Sequence, residues 1–301
     1  MITVKCNLCG RDEWQVRFPA TTDGDLLQVD AFRCTHSGYG THPQIVECCN
    51  CGLVYANPRW AMDTILETYA AVEDSTYIEE RAGRELTFRR HLRQLEKVTG
   101  PAANRRLLDV GAYIGVFVEM AGESGWQAQG IEPSQWAAAE AQRRGLDVML
   151  GTMDSRGLES EQYDVITMWD VIEHVADPAA ELEQAWRLLR PGGWLLVHTM
   201  NIDAPIAQLM GRRWPWLMDM HLFYFSRRTL TGLLARHGFQ EIWTGAQGRY
   251  LRLGYLATRL SGLNPTFGRL AGSLVQRLSL SDIAVPVNFG DLMTIISRRE
   301  S

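Results

Sequence analysis

Two cysteine pairs, Cys6-x-x-Cys9 and Cys48-x-x-Cys51, have the spacing that sets four thiolates tetrahedrally about one Zn2+. Such a cage fills every coordination position, so it builds structure and leaves none open for catalysis. All six cysteines lie in the first 51 residues. In a reducing compartment that clustering favours a metal knuckle over its alternative, paired disulfides. Cys34, His36, His42 and Cys49 are spare donors in the same stretch. A second group of candidates is titratable. His174 and His221 suit general-base work near neutral pH, each against the plainer role of capping a helix or bonding a backbone carbonyl. His198, inside an expected strand, reads as structural. Asp170, Glu173 and His174 stand at helical offsets that would bring all three to one face.

A third group surrounds "LLDVGAYIGVF", residues 107–117. Asp109 ends an apolar run, Gly111 makes a tight turn and Gly115 opens a helix. The G-x-G-x-x-G spacing that admits a pyrophosphate is missing, with Tyr113 standing between the two glycines. A phosphate-cradling G-x-x-x-x-G-K-[ST] is missing as well. Glu132 closes the next apolar run 23 residues after Asp109, where an acid can accept both hydroxyls of a ribose. A ribose-binding acid with no pyrophosphate grip implies a nucleoside cofactor without phosphates.

These groups need a frame, and the chain after Gly100-Pro101 supplies one. Short apolar runs at 107–110, 127–131, 147–150, 163–168 and 194–199 read as strands. Helical patterns alternate with them over 115–124, over 134–144 with Ser134 as cap, and over 177–189 with Pro178 in the first turn. "FQEIWTG" and "LMTIISR" add two strands near the end. The alternation predicts an α/β fold with a parallel, doubly wound sheet.

In that order, "LLDVGAYIGVF", "GIEPS", "YDVITMWDVIEHVADP" and "LLRPGGWLLV" resemble the successive motifs of class I S-adenosylmethionine-dependent methyltransferases. The likeness is strongest to the broad group that includes the ubiquinone O-methyltransferases. It implies a Rossmann-like, seven-stranded sheet with an antiparallel last strand, and S-adenosylmethionine as cofactor. By resemblance, Asp109, Gly111 and Gly115 would surround the methionine part of the cofactor; Tyr113 departs from the pattern, and its side chain would cover the cofactor. Glu132 would hold the ribose, Thr152 and Met153 would flank the adenine, and Trp169 and Asp170 would lie on the loop beneath. In ubiquinone-type enzymes a similar acid-x-x-Glu-His cluster is a magnesium site, which implies Mg2+ at Asp170, Glu173 and His174. "CCNCGLVYANP" resembles the zinc-ribbon lead-in of sugar-modifying and polysaccharide-related methyltransferases, where the ribbon would order the acceptor side.

The expected organisation is a zinc-ribbon-like module over 1–57, a helical connector over 58–100, and a methyltransferase domain over 101–247 plus 288–301. A helical insertion or lid occupies 248–287. That insertion carries Arg249, Arg252, Arg259, Arg269 and Arg277 against Asp282 alone, with Phe267, Leu270, Leu274 and Leu278 at helical spacing. It reads as a lid that selects the acceptor, as a peripheral membrane contact, or as core or dimer interface. The net charge of −5 gives no general attraction to nucleic acid. Residues 1–60 carry five Lys/Arg against six Asp/Glu, which counts against a zinc-ribbon-bearing RNA methyltransferase. Without an apolar leader, or a run of about 20 apolar residues, the chain reads as cytoplasmic. The expected activity is O-methylation of a small molecule, a sugar, or a glycan- or lipid-linked precursor. The rivals are RNA methylation and a non-catalytic cofactor-binding scaffold.

Overall fold

The computed structural model describes residues 1–22, 29–36 and 39–300, so the turns expected at Asp23-Gly24 and Ser37-Gly38 lie outside the described residues. The amino-terminal cysteines sit at the turns of a small antiparallel sheet. Its strands are β1 (Trp14–Phe18), β2 (Ile45–Cys48) and β3 (Val54–Ala56). Each cysteine pair is bent back on itself by a glycine. The Gly10 amide donates to the Cys6 carbonyl at 2.8 Å and the Gly52 amide to the Cys48 carbonyl at 2.9 Å. Three helices follow: α1 (Met62–Ala70), α2 (Ser75–Glu79) and α3 (Arg81–Thr99). The Asp74 side chain caps α2 by accepting the Tyr77 amide at 3.1 Å. In α3 the buried positions Thr87, His91 and Leu95 recur every fourth residue, and Arg89, Arg90, Arg93 and Lys97 are left to solvent.

The alternating region then runs β4 (Arg106–Val110), α4 (Val116–Glu123), β5 (Gln127–Glu132), α5 (Gln135–Arg143), β6 (Val148–Leu150), β7 (Tyr163–Trp169), α6 (Pro178–Leu188) and β8 (Leu189–Met200). Ser134 caps α5, accepting the Ala137 amide at 3.3 Å, and Asp177 caps α6, accepting the Ala180 amide at 3.1 Å. The chain continues through α7 (Pro205–Met210), β9 (Phe223–Tyr224), α8 (Arg227–Arg236) and β10 (Phe239–Ala246). It ends with β11 (Arg249–Arg252), α9 (Leu253–Leu263), α10 (Pro265–Arg277), β12 (Ala284–Val287) and β13 (Leu292–Arg299).

Seven strands form the main sheet in the order β10-β13-β8-β7-β4-β5-β6, with β13 alone antiparallel to its neighbours. This is the expected doubly wound fold with an antiparallel last strand. Leu107, Leu108, Val165, Ile166, Leu195 and Leu196 are fully buried, because helices cover both faces of a parallel sheet and leave no polar side. Strand order reverses about β4, which opens a crevice beyond the carboxyl ends of β4 and β7.

Two features stand outside the sequence reading. The ribbon sheet has a fourth strand, β9, which pairs with β3 although it lies between α7 and α8. The segment 248–287 is helical at its centre but hangs from a two-stranded ribbon, β11 with β12, in register from Arg249↔Val287 to Arg252↔Ala284. Pro286 inside β12 conceals that strand, since proline cannot donate to a ladder.

Candidate active site

The turn after β4 is built around two glycines that no other residue would replace without strain. Gly111 has φ +67°, and a Cβ there would come 2.7 Å from Val171 Cγ2. Gly115 has φ +77°, and its Cβ would meet Leu146 Cδ1 at 2.6 Å. Between them Tyr113 also takes a positive φ, +50°. Its amide donates to Glu132 Oε2 at 2.9 Å, and the Ser134 amide donates to Glu132 Oε1 at 2.8 Å. The glycine loop and the end of β5 are therefore joined through one carboxylate. Glu132 is 0% exposed. Burial pushes its pKa up to about 7, against the charge-stabilising bonds from Ser134, Tyr113 and the Tyr69 hydroxyl. Asp109, also buried, is pushed up to about 8 by desolvation although Thr167 Oγ1 donates to it at 2.7 Å.

Beyond these strand ends lies a chamber of about 520 Å3. Asp109, Gly111, Tyr113, Thr152, Met153, Trp169 and Asp170 line it, together with Glu173, His174 and His221. Gly115 and Glu132 are not among the lining residues, whereas Ile131, Pro133 and Tyr69, whose hydroxyl bonds Glu132, are. The Tyr113 ring packs edge-on against Tyr77 at 4.4 Å and near Trp136 at 5.9 Å. Several buried polar atoms on the chamber wall lack a protein partner: Tyr113 Oη, Trp169 Nε1, Glu173 Oε2, His91 Nδ1 and His198 Nε2. Leaving such groups unpaired is costly, so their convergence on one cavity marks where a polar ligand fits.

On the side away from the glycine loop, two imidazoles face each other with centroids 4.8 Å apart. His174 Nδ1 lies 2.8 Å from the Met220 carbonyl and His221 Nδ1 2.7 Å from the Trp216 carbonyl. A carbonyl only accepts, so each Nδ1 carries the proton and each Nε2 keeps its lone pair. Burial lowers both pKa values, and the neighbouring His174 helps bring His221 down to about 3. The expected carbonyl-bonding role and an unprotonated Nε2 thus coexist in the same rings. Glu173 holds the loop as well, its carbonyl accepting the Leu222 and Phe223 amides at 2.8 and 3.1 Å. Of the aromatic residues near His221, Trp216 lines the chamber, whereas Trp214, Phe223 and Tyr224 pack into the core.

Asp170 departs from its expected neighbours. Its Oδ1 meets Arg249 Nη2 at 2.6 Å and lies 3.8 Å from His198 Nε2. Among the described residues the acid-and-histidine group close enough to share an ion is Glu173, His174 and His221, without Asp170. The expected magnesium trio is corrected accordingly. Two imidazoles and one carboxylate suit a transition metal better than Mg2+, which prefers oxygen ligands. His91, His198 and Arg249 are chamber residues that the sequence reading did not assign to the site. His91 stacks on Trp169 at 5.0 Å and lies 5.1 Å from His198. No signal in the sequence pointed to His91, which stands in a highly charged helix.

The four expected cysteines converge. Cys6 Sγ lies 3.4 Å from Cys51 Sγ, Cys9 Sγ lies 3.5 Å from Cys48 Sγ, and all four sulfurs fall within 4.8 Å of one another. Zn–S bonds of about 2.3 Å require a sulfur tetrahedron with edges of about 3.8 Å, so the donor set fits one Zn2+. Cys34 and Cys49 are exposed, and neither they nor His36 and His42 join the group.

A family model described as a methyltransferase domain matches residues 77–243. The chain belongs to this methyltransferase family. It contains a class I S-adenosylmethionine-dependent methyltransferase domain. Ubiquinone biosynthesis O-methyltransferases resemble it at 30% identity in Leptothrix cholodnii, over 36% of this chain and 50% of the relative. The Aeromonas salmonicida protein of the same name is 34% identical over 37% of this chain and 50% of that relative. The chain thus spans about half the length of the curated relatives it matches. Among solved structures, an S-adenosylmethionine-dependent methyltransferase from Thermotoga maritima superposes with a TM-score of 0.52 at 20% identity, covering 80% of this chain and all of the other. One from Archaeoglobus fulgidus gives 0.51 at 15% identity, covering 75% and 100%. These two share the fold. Among the described residues, no helix is long and apolar enough to cross a membrane.

Proposed function

We propose that this methyltransferase alkylates a hydroxyl of a small molecule, a sugar, or a glycan- or lipid-linked precursor. The observation that carries the reading is the pair of buried imidazoles, His174 and His221, each holding its Nδ1 proton on a carbonyl and presenting a bare Nε2 at the chamber wall. S-adenosylmethionine supplies an activated methyl group, so the chain's own task is alignment, exclusion of water and removal of one proton. Asp109, Gly111, Tyr113 and Gly115 would cradle the methionine end. Glu132 would accept the ribose hydroxyls, Thr152 and Met153 would border the adenine, and Trp169 and Asp170 would close the floor. His221 would take the hydroxyl proton on Nε2, with His174 beside it as the alternate acceptor. Cys6, Cys9, Cys48 and Cys51 would hold a structural Zn2+.

The proposed division assigns residues 1–57 to the ribbon module and 58–100 to a connector. Residues 101–247 plus 288–301 form the catalytic domain and 248–287 the acceptor lid. Arg249 and Tyr255 from that lid line the chamber, which supports its role in acceptor choice. The test is release of S-adenosylhomocysteine against a panel of hydroxylated acceptors, including nucleotide sugars, polyprenyl-linked sugars and catechols. Turnover only with an RNA fragment would replace this reading with RNA methylation. The absence of turnover with every acceptor, despite tight cofactor binding, would favour the scaffold.

A further inference from the structure

Helix α10 is packed inside out. Gly268 is buried so tightly against α9 that a Cβ there would stand 2.1 Å from Ser261 Oγ, and a Cβ on Gly272 would touch Ala257 at 3.8 Å. The small residues thus face the protein, while the large apolar ones face outward. Phe267, Leu270, Leu274 and Leu278 are 59%, 66%, 59% and 56% exposed. At 100° per residue they share one face, away from the glycine seam. A helix of a globular domain ordinarily does the reverse, so this stripe is built to meet something apolar.

We infer that the α9–α10 hairpin docks on the surface of an anionic lipid bilayer. Charge selects that occupant over a second copy of the chain. Across α9 and α10, residues 253–277, the chain has three arginines (Arg259, Arg269 and Arg277) and no acid, within a protein of net charge −5, whereas Arg249 and Arg252 are ion-paired with Asp170, Glu80 and Asp282. Arg269 and Arg277 are exposed on α10 itself; at 100° per residue Arg277 adjoins Leu270 at the edge of the apolar stripe and Arg269 lies about 80° further round. An apolar stripe flanked by arginines is the composition of a helix that lies in the lipid headgroup region. A second copy would set the same positive face against itself. Continuity with the chamber strengthens the inference. The same hairpin contributes Tyr255, Leu256, Arg259 and Leu260 to the chamber wall, and Phe289, 69% exposed, also lines it. Docking would therefore set the chamber mouth at the lipid surface, where an acceptor with an apolar tail could enter. This last step rests on the proposed acceptor class, whereas the docking does not.

Vesicle flotation of the full chain tests the docking. Phosphatidylcholine vesicles doped with phosphatidylglycerol should carry the wild type upward, and pure phosphatidylcholine should carry at least tenfold less. The double variant Phe267→Asp/Leu274→Asp should lose binding at least tenfold, with melting temperature and S-adenosylhomocysteine affinity unchanged. Arg269→Gln/Arg277→Gln should lose mainly the preference for anionic lipid. Wild-type protein that stays unbound with both vesicle types overturns the inference. So does a dimer by light scattering that Phe267→Asp/Leu274→Asp makes monomeric without any vesicle binding, for then a second copy covers the face. Because flotation uses no acceptor, its outcome is independent of the panel that tests the proposed function.

Discussion

Tyr55, in the cysteine-bearing ribbon, is the strand partner of Phe223, which follows His221 by two residues. The neighbouring pair is Val54 with Tyr224. The strand that follows His221 is therefore the fourth strand of the ribbon's own sheet. Arg228 Nη1 adds a bond of 2.8 Å to the Cys51 carbonyl, and Arg236 Nη1 one of 2.5 Å to that of Leu8. The cysteine cluster and the chamber wall are thus joined through one sheet, although Cys48 and His221 are 173 positions apart.

Freshly purified, reduced protein should accordingly contain about one zinc per chain by elemental analysis. Cys48→Ser should lose the metal and destabilise the ribbon, since metal binding contributes directly to folding. Hydrogen exchange should also quicken at residues 221–224, the segment that pairs with the ribbon through Val54 and Tyr55, while 107–115 stays protected. Loss of zinc with unchanged exchange at 221–224 would separate the ribbon from the acceptor side.

Glu132→Ala should weaken S-adenosylmethionine at least tenfold by calorimetry. Two hydroxyls bonded to one carboxylate correspond to about 1.5–3 kcal/mol on the scale of charged hydrogen bonds. The fold should persist, because Tyr113 and Ser134 can turn their amides to water entering the space vacated. Unchanged affinity would remove the ribose assignment.

Affinity should also depend on pH. Burial raises the Glu132 carboxyl from 4.5 to about 7. The ionised form accepts both ribose hydroxyls, and protonation gives up part of that capacity. Affinity for S-adenosylhomocysteine should therefore be full above pH 7 and fall as the pH drops through 7 toward 5. In Glu132→Gln that decline should disappear, leaving a uniformly weaker site. A wild-type affinity flat across this range would show that Glu132 is already ionised in the free protein.

The sheet was legible because its strands are continuous apolar runs separated by caps with a local mechanism. Ser134 and Asp177 perform the capping their positions suggested. The cysteine cage was legible from spacing alone. What escaped depends on pairings distant in sequence. Strand β9 is two residues long and forms only because β3 offers an edge. Asp170 could not be placed from local spacing, since its partner Arg249 comes from a ribbon 79 residues away. His91 sits in a charged helix and enters the chamber only through packing against Trp169 and His198.

The roles of the paired histidines can be separated. If His221 takes the acceptor's proton, His221→Ala should lower turnover by about 10²–10⁴, the scale of one general base. Cofactor affinity should hardly change, since Glu132 and the glycine loop lie on other elements. A general base of ordinary histidine pKa would give the rate an acidic limb at about pH 6.5. With His221 held down to about 3 by burial and by His174, that limb should be absent between about pH 5 and pH 8. The same two imidazoles with Glu173 could instead hold a divalent ion, and a chelator distinguishes the cases. Base chemistry should survive dialysis against EDTA, provided the ribbon keeps its zinc, which elemental analysis monitors. Activity lost on chelation and restored by Mn2+, with zinc content constant, would make Glu173, His174 and His221 a metal centre. Near-normal turnover in His221→Ala would pass the proton to His174, and His174→Ala should then show the loss.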